Sequence, residues 1–303
     1  MSDRIFVNTD ALGELLRWFR LKAEVYIHAD FQGCWAVDTS GDRTVPFHLV
    51  HRGKSWLHLP GEEPRLLSAG DLVVFPHDAQ HYLSSESENP DEYLVNQPNA
   101  SDEEVGEITG LTCGHFEFGN KANWPLLDSL PPAIVLELSD TSRLANTRTL
   151  IQLLVSELEQ AEPGCKVSVD HLAHVLFIHI LRSQLDKGLQ NGLLKALFDP
   201  KIGKALSLIH NQMEKNWTLE SLALEIGMSR AVFATEFKRL TGNTAMAYLT
   251  EWRMMRATEL LQTTELSIVD ISEQCGYQSD AAFRKSYKKI MGSTPAEARR
   301  NKQ

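Results

Sequence analysis

The last third of the chain repeats itself, and that repeat restricts the fold more than any other feature. Thr218 to Thr244 reads TLESLALEIGMSRAVFATEFKRLTGNT, and Ser267 to Pro295 reads SIVDISEQCGYQSDAAFRKSYKKIMGSTP. Gly227 returns as Gly276, 49 residues later; Ser229, Phe233, Phe237 and Gly242 return 50 residues later as Ser279, Phe283, Tyr287 and Gly292. Each copy reads as a short amphipathic helix, a glycine turn, a serine cap and a second helix that ends basic before another glycine. That is the pattern of a helix-turn-helix, whose second helix enters the major groove of DNA. Between the copies, Ala245 to Gln262 (AMAYLTEWRMMRATELLQ) has neither Gly nor Pro and keeps apolar residues at helical intervals. A helix of about 20 residues spans roughly 30 Å, close to the roughly 34 Å between successive major-groove faces on one side of a duplex. Such a rod sets two recognition helices toward adjacent grooves, so one chain would read two half-sites that need not be palindromic.

The segments WTLESLA (from Trp217), GMSRAVFATEFKRLTG (from Gly227), YLTEWRM (from Tyr248), ISEQCGYQSDAAFRKSYKK (from Ile271) and GSTPAEAR (from Gly292) closely resemble the AraC/XylS family of transcriptional regulators. The resemblance implies a sequence-specific regulator with double-stranded promoter DNA and RNA polymerase as partners. One departure is Ala245, where the first copy would usually carry the proline kept in the second as Pro295.

Position assigns roles within each unit (about 218–242 and 267–292). In the first recognition helix, capped by Ser229, the exposed side is predicted to carry Arg230, Ala231, Ala234, Thr235 and Lys238, opposite Val232, Phe233, Phe237 and Leu240. In the second, Gln278, Ser279, Asp280, Ala281, Arg284, Lys285 and Lys288 are predicted to face DNA, opposite Phe283, Tyr287 and Ile290. Early positions meet base edges and later Lys and Arg meet phosphates; the alternative for each basic residue is a solvated helix face.

Charge partitions to match. The chain of 303 residues carries a formal net charge of -10. Residues 201–303 hold 15 Lys/Arg against 11 Asp/Glu, leaving 15 against 29 in the remainder. The phosphate-binding part is thus basic and the rest acidic. No apolar run reaches the 18 or more residues of a membrane span, and MSDRIFVNTD lacks the pattern of a signal peptide. Cys34, Cys113, Cys165 and Cys275 are irregularly placed, which suggests a reducing cytosol rather than a disulfide framework.

The first half alternates in short apolar segments broken by turns, as an antiparallel β-sandwich or barrel does: AEVYIHADF, CWAVDT, PFHLVHR, SWLHLPG, LLSAGDLVVFP, HYLSS and LTCGHFEF. The overall expectation is an α+β multidomain chain: a β domain over 1–138, a helical dimerisation and linker segment over 139–198, and a helical DNA-binding domain over 199–303. GDLVVFPHDAQH (Gly70 to His81) resembles the second cupin motif at its Gly, Pro and His positions, with Asp78 where glycine is usual. The first cupin motif is not recognisable upstream of Gly53. The domain therefore resembles the cupin-like sensor domain of AraC-type regulators, and LLRWFRLKAEVY, FHLVHRGKSWLHL and LLDSLPPAI resemble its RclR-type branch, associated with reactive chlorine.

Strand alternation turns His48 inward and His51 outward; His81 matches the motif's inward ligand, and Cys113 shares a face with His115. Imidazoles with a thiolate would suit Zn²⁺ or another transition metal. A small-molecule pocket without metal and a filled structural core are the alternatives. Cys34 and Cys113 are the β domain's two cysteines and the candidates for a thiol switch. SVDHLAHVLFIHILRSQL is apolar over more than half its circumference, so Leu172, Val175, Leu176 and His179 are expected at a homodimer interface, against burial within its own domain. His171 and His174 are expected to flank that interface. GLQNGLLKALFDP (Gly188 to Pro200) is the linker candidate, and its leucines imply that part of it packs. The reading is a transcriptional regulator of the cytoplasm, controlled by a small molecule, metal or oxidant, with activation and repression both open. The alternative is a metal-dependent cupin enzyme with a DNA-binding appendage.

Overall fold

The computed structural model describes residues 11–19, 21–89, 95–96, 107–118, 125–137, 144–186, 188 and 192–300. Alternation of apolar and polar residues builds two antiparallel sheets from nine strands among the described residues. β1 (Leu21–Phe31), β8 (Thr109–Phe118), β3 (Val45–Arg52), β6 (Leu72–Val74) and β9 (Ile134–Leu136) form one sheet in that order; β2 (Ala36–Val37), β7 (Tyr82–Ser84), β4 (Lys54–His58) and β5 (Arg65–Ser68) form the other. Trp35, Val50, Phe75, Leu83, Leu111 and Cys113 fill the space between the sheets. The opposite face of the larger sheet carries Phe47 and Phe116, and Phe177 of α4 (Cys165–Asp186) covers it at 4.9 Å from the Phe116 ring. α4 packs on β1 and, as a hairpin, on α3 (Ala145–Gln160); the single-turn α2 (Pro125–Asp128) precedes β9. β9 lies beyond the strands legible as alternating runs, because three consecutive buried residues carry no alternation.

Asp78 has a φ of 52°, the left-handed region in which the motif's usual glycine is at ease. Aspartate tolerates it and uses it: its carboxylate accepts from the Gly41 and Arg43 amides (3.1 and 2.7 Å), tying down the loop beside His81.

Helices make up the second unit. α5 (Leu193–Phe198), α6 (Ile202–Asn211), α7 (Leu219–Glu225), α8 (Arg230–Thr241), α9 (Ala245–Thr263), α10 (Ile268–Gln274), α11 (Asp280–Met291) and α12 (Pro295–Arg300) follow in order. Two boundaries differ from the sequence reading. α1 (Ala11–Phe19) groups with the helices from 192 onward rather than with the β strands, and the α3–α4 hairpin groups with the strands. α5 belongs to the second unit because Leu193, Leu194, Ala196 and Leu197 are all buried, so this half of the expected linker is core.

Candidate nucleic-acid interface and sensor site

The two repeats fold alike because the same local chemistry recurs. Thr218 and Ser267 each cap a first helix with a reciprocal capping box. Gly227 and Gly276 turn the chain with φ of 63° and 76°. Ser229 and Ser279 accept from the Val232 and Ala282 amides to start α8 and α11. Gly242 and Gly292 close both helices in the left-handed conformation. Between them α9 runs 19 residues, roughly 28 Å at 1.5 Å per residue. Ala245 is buried at its first turn, where Thr244 supplies the cap, so the missing proline leaves the helix start intact.

Ser229, Arg230, Ala231, Thr235 and Lys238 are exposed along α8, as are Gln278, Ser279, Ala281, Arg284, Lys285 and Lys288 at α11; Asp280 is half-buried. Phe233, Phe237, Phe283 and Tyr287 are buried beneath. Two expectations are corrected. Val232 is 57% exposed, because it sits a third of a turn away from the Phe233–Phe237 stripe. Ile290 is also exposed, whereas its counterpart Leu240 is buried: α5 packs against α8, and the Leu240 carbonyl accepts the Gly192 amide. The sequence reading also missed two ion pairs. Arg230 Nε meets Glu220 Oε1 at 2.6 Å across the turn, and Arg284 Nε meets Asp280 Oδ2 at 2.7 Å one helical turn back. The second has an i,i+4 signal; the first has no periodic spacing to betray it.

In the β unit, His48 on β3 and His81 just before β7 meet in the interior, Nε2 to Nε2, at 2.8 Å. The Thr39 hydroxyl lies 3.1 and 3.2 Å from the same two nitrogens, and the His81 ring stacks on Phe75 at 3.7 Å. Burial holds both imidazoles below their ordinary pKa, for His48 well below, with His81 adding to the effect there. Both are therefore neutral at pH 7, and the tautomers follow. The Ala79 carbonyl accepts only, so His81 Nδ1 carries the proton and donates to it at 2.7 Å. His81 Nε2 is then a lone pair that accepts from His48 Nε2–H. His48 Nδ1 is left as a fully buried lone pair with no hydrogen-bond partner.

Cys113 stands directly opposite His48 in the β3–β8 register. Burial pushes its thiol far above the usual value. His115 lies opposite Pro46 and rests half-buried beside Tyr26, ring centroids 5.8 Å apart. Among the described residues no three His, Cys, Asp or Glu side chains converge on a metal position. The expected set of His48, His81, Cys113 and His115 thus reduces to an imidazole pair with a hydroxyl, which does not complete a zinc tetrahedron.

A cupin family model matches residues 10–186, and a helix-turn-helix domain model matches residues 222–301. The chain is 29% identical over 300 residues to a putative AraC-like transcription regulator of Streptomyces lividans, covering 96% of this chain and 98% of that one. It is 30% identical over 302 residues to an HTH-type transcriptional regulator of Haemophilus influenzae (96% and 99%). It is 28% identical over 257 residues to the RCS-specific transcriptional activator RclR of Escherichia coli (84% and 84%). The chain belongs to the AraC-like transcriptional regulators.

Other expected sites of this AraC-like regulator fall differently. On α4, Leu176 is buried and His179 bonds Thr147 Oγ1 at 2.9 Å, so both serve the hairpin. Val175 is exposed and Leu172 half-exposed, with Leu153 of α3 exposed nearby in sequence register. His174 is held by the Asp170 and Leu21 carbonyls, while His171 is exposed. Cys34 is exposed, but its thiol donates to Glu86 at 3.3 Å, and this hydrogen bond raises its pKa. Neither Cys34 nor Cys113 is thus poised as a thiolate. No described helix is long and apolar enough to cross a membrane.

Proposed function

We propose that this regulator binds double-stranded promoter DNA as a homodimer, recruits RNA polymerase as an activator, and is controlled by a signal read in the β domain. The duplicated, identically capped helix-turn-helix carries the DNA half of this reading. Two recognition helices present arginine at early positions and lysine at later ones, the order that base edges and phosphates demand. The signal half is supported by His48 Nδ1, because a buried acceptor without a partner is costly unless an incoming group supplies the missing donor. A small molecule with an N–H or O–H group fits that position better than a zinc ion does. The metal-dependent cupin enzyme draws on likeness of fold alone.

Gel shifts of the full-length protein on its own promoter test the DNA half. Arg230→Ala and Arg284→Ala should each weaken binding by roughly 1–3 kcal/mol and relax preference at positions about one helical turn apart. Losses that map to the same base pairs would reject the two-groove reading. His48→Gln should change the transcriptional response without changing DNA affinity. Val175→Glu should halve the sedimenting mass; an unchanged mass would move the dimer contact away from α4.

A further inference from the structure

Outside the sheet interior, α3 and the outer face of the larger sheet border an open pocket of about 360 Å³. That lies within the ~300–1,000 Å³ of small-molecule sites. Its helical wall recurs at three- and four-residue steps: Arg148 near the start of α3, Ile151 and Val155 in the middle, Glu159 near the end. α3 therefore borders the pocket with opposite charges at its ends and Ile151 and Val155 between them, flanked by Gln152 and Ser156, and Leu49 of β3 supplies apolar surface opposite. Eleven residues separate Arg148 from Glu159, roughly 16 Å of helix.

The sheet side of the Glu159 end is specifically shaped. His51 is the extra residue of a β-bulge between Val50 and Arg52, a device that re-aims a side chain. Its ring stacks on His28 at 4.7 Å, and both Nδ1 atoms meet the buried Thr112 hydroxyl, at 3.1 and 2.9 Å. A Cβ on Gly110 would lie 2.2 Å from His51 Nε2, so the glycine is what leaves room for the ring. Burial first, and His28 second, hold His51 below the ordinary imidazole value. At pH 7 it is therefore a neutral ring, not a cation beside α3.

We propose that this pocket binds a zwitterion two to three residues long, such as a short apolar peptide, with its ammonium on Glu159 and its carboxylate on Arg148. Two or three extended residues span on the order of 7–10 Å, which fills the stripe once both side chains reach inward. The apolar body lies on Leu49, Ile151 and Val155. The α3 dipole has the same sense, favouring an anion near its start and a cation near its end. Because α3 packs along α4, occupancy bears on the hairpin proposed to join two subunits, although the site itself does not depend on that proposal.

Isothermal titration of the full-length protein with Leu-Leu, N-acetyl-Leu-Leu and Leu-Leu amide tests the assignment. Leu-Leu should bind about tenfold more tightly than either blocked form. Glu159→Gln should abolish the discrimination against the acetylated peptide, and Arg148→Gln the discrimination against the amide. Equal affinity for all three peptides, no heat up to ~10 mM, or variants that keep the full preference would each overturn it. Since the readout is heat rather than transcription, such a failure removes this site and leaves the DNA-binding reading where it stands.

Discussion

Gly227 and Gly276 fill the same turn of the two repeats, yet their surroundings differ. A Cβ on Gly227 meets nothing within 4 Å, whereas one on Gly276 would lie 2.7 Å from the Glu214 carbonyl oxygen. Gly227→Ala should cost about 1 kcal/mol, from the left-handed backbone alone. Gly276→Ala should cost at least twice that, roughly 2–4 kcal/mol, because backbone must also shift. Equal losses in chemical denaturation would show that only the dihedral matters. His210 offers a second test. It is buried, stacked on Trp252 at 4.0 Å and bonded to the Tyr248 hydroxyl at 2.8 Å, and burial lowers its pKa to about 3. Above pH 6.5 both folded and unfolded forms are neutral, so its contribution to stability is complete. Below that value the unfolded chain takes a proton that the folded one refuses. Stability then falls by about 1.4 kcal/mol per pH unit from this residue, down to about pH 3. His210→Gln should flatten the profile by that slope; a parallel profile would contradict the burial account. At this scale the sequence was legible where one residue's own chemistry decides, as at the serine caps and the turn glycines. It was opaque for pairs such as Glu220–Arg230, whose contact depends on the angle between two helices.

Helices were more legible than strands, for a physical reason. α8, α9 and α11 begin and end at residues that satisfy their own terminal amides or adopt a left-handed cap, so their limits are written locally. Ser229→Ala and Ser279→Ala should each lower stability by about 1 kcal/mol, and by similar amounts, since each hydroxyl accepts one amide in an exposed setting. Differential scanning calorimetry that finds one loss near zero would mean that the repeats differ in cap strength despite equal geometry. Partnerships between elements were not local and were read less well. Ile290 has the pattern of a core residue and is exposed, because what covers Leu240 is α5, an element with no second copy. α1 precedes the strands in sequence yet groups with the distant helices. In the β unit, the cupin-motif register brought His48 and His81 to the interior together, and they meet there at 2.8 Å, with Cys113 buried as a thiol.

Across the whole molecule, the acidic β domain and the basic helical unit divide two tasks that one surface would perform poorly. A chain of net charge -10 resists non-specific aggregation, while 15 Lys/Arg within residues 201–303 provide the pull toward phosphate. Lys285→Ala should therefore weaken binding alike on specific and random DNA and reduce the salt slope by about 1. A loss confined to the specific site would mark Lys285 as a base reader instead.

The carboxylates beside Arg230 and Arg284 give this division a temporal side. Away from its operator, each arginine is held by Glu220 or Asp280, so the surface that meets random DNA is less adhesive than its arginine count implies. A guanine, which offers two acceptors at once, would have to draw each arginine from its carboxylate, so sliding over random sequence should be fast. Glu220→Gln should consequently produce a regulator that lingers on the wrong DNA: tighter on random sequence, slower to find its operator, and only slightly tighter once there.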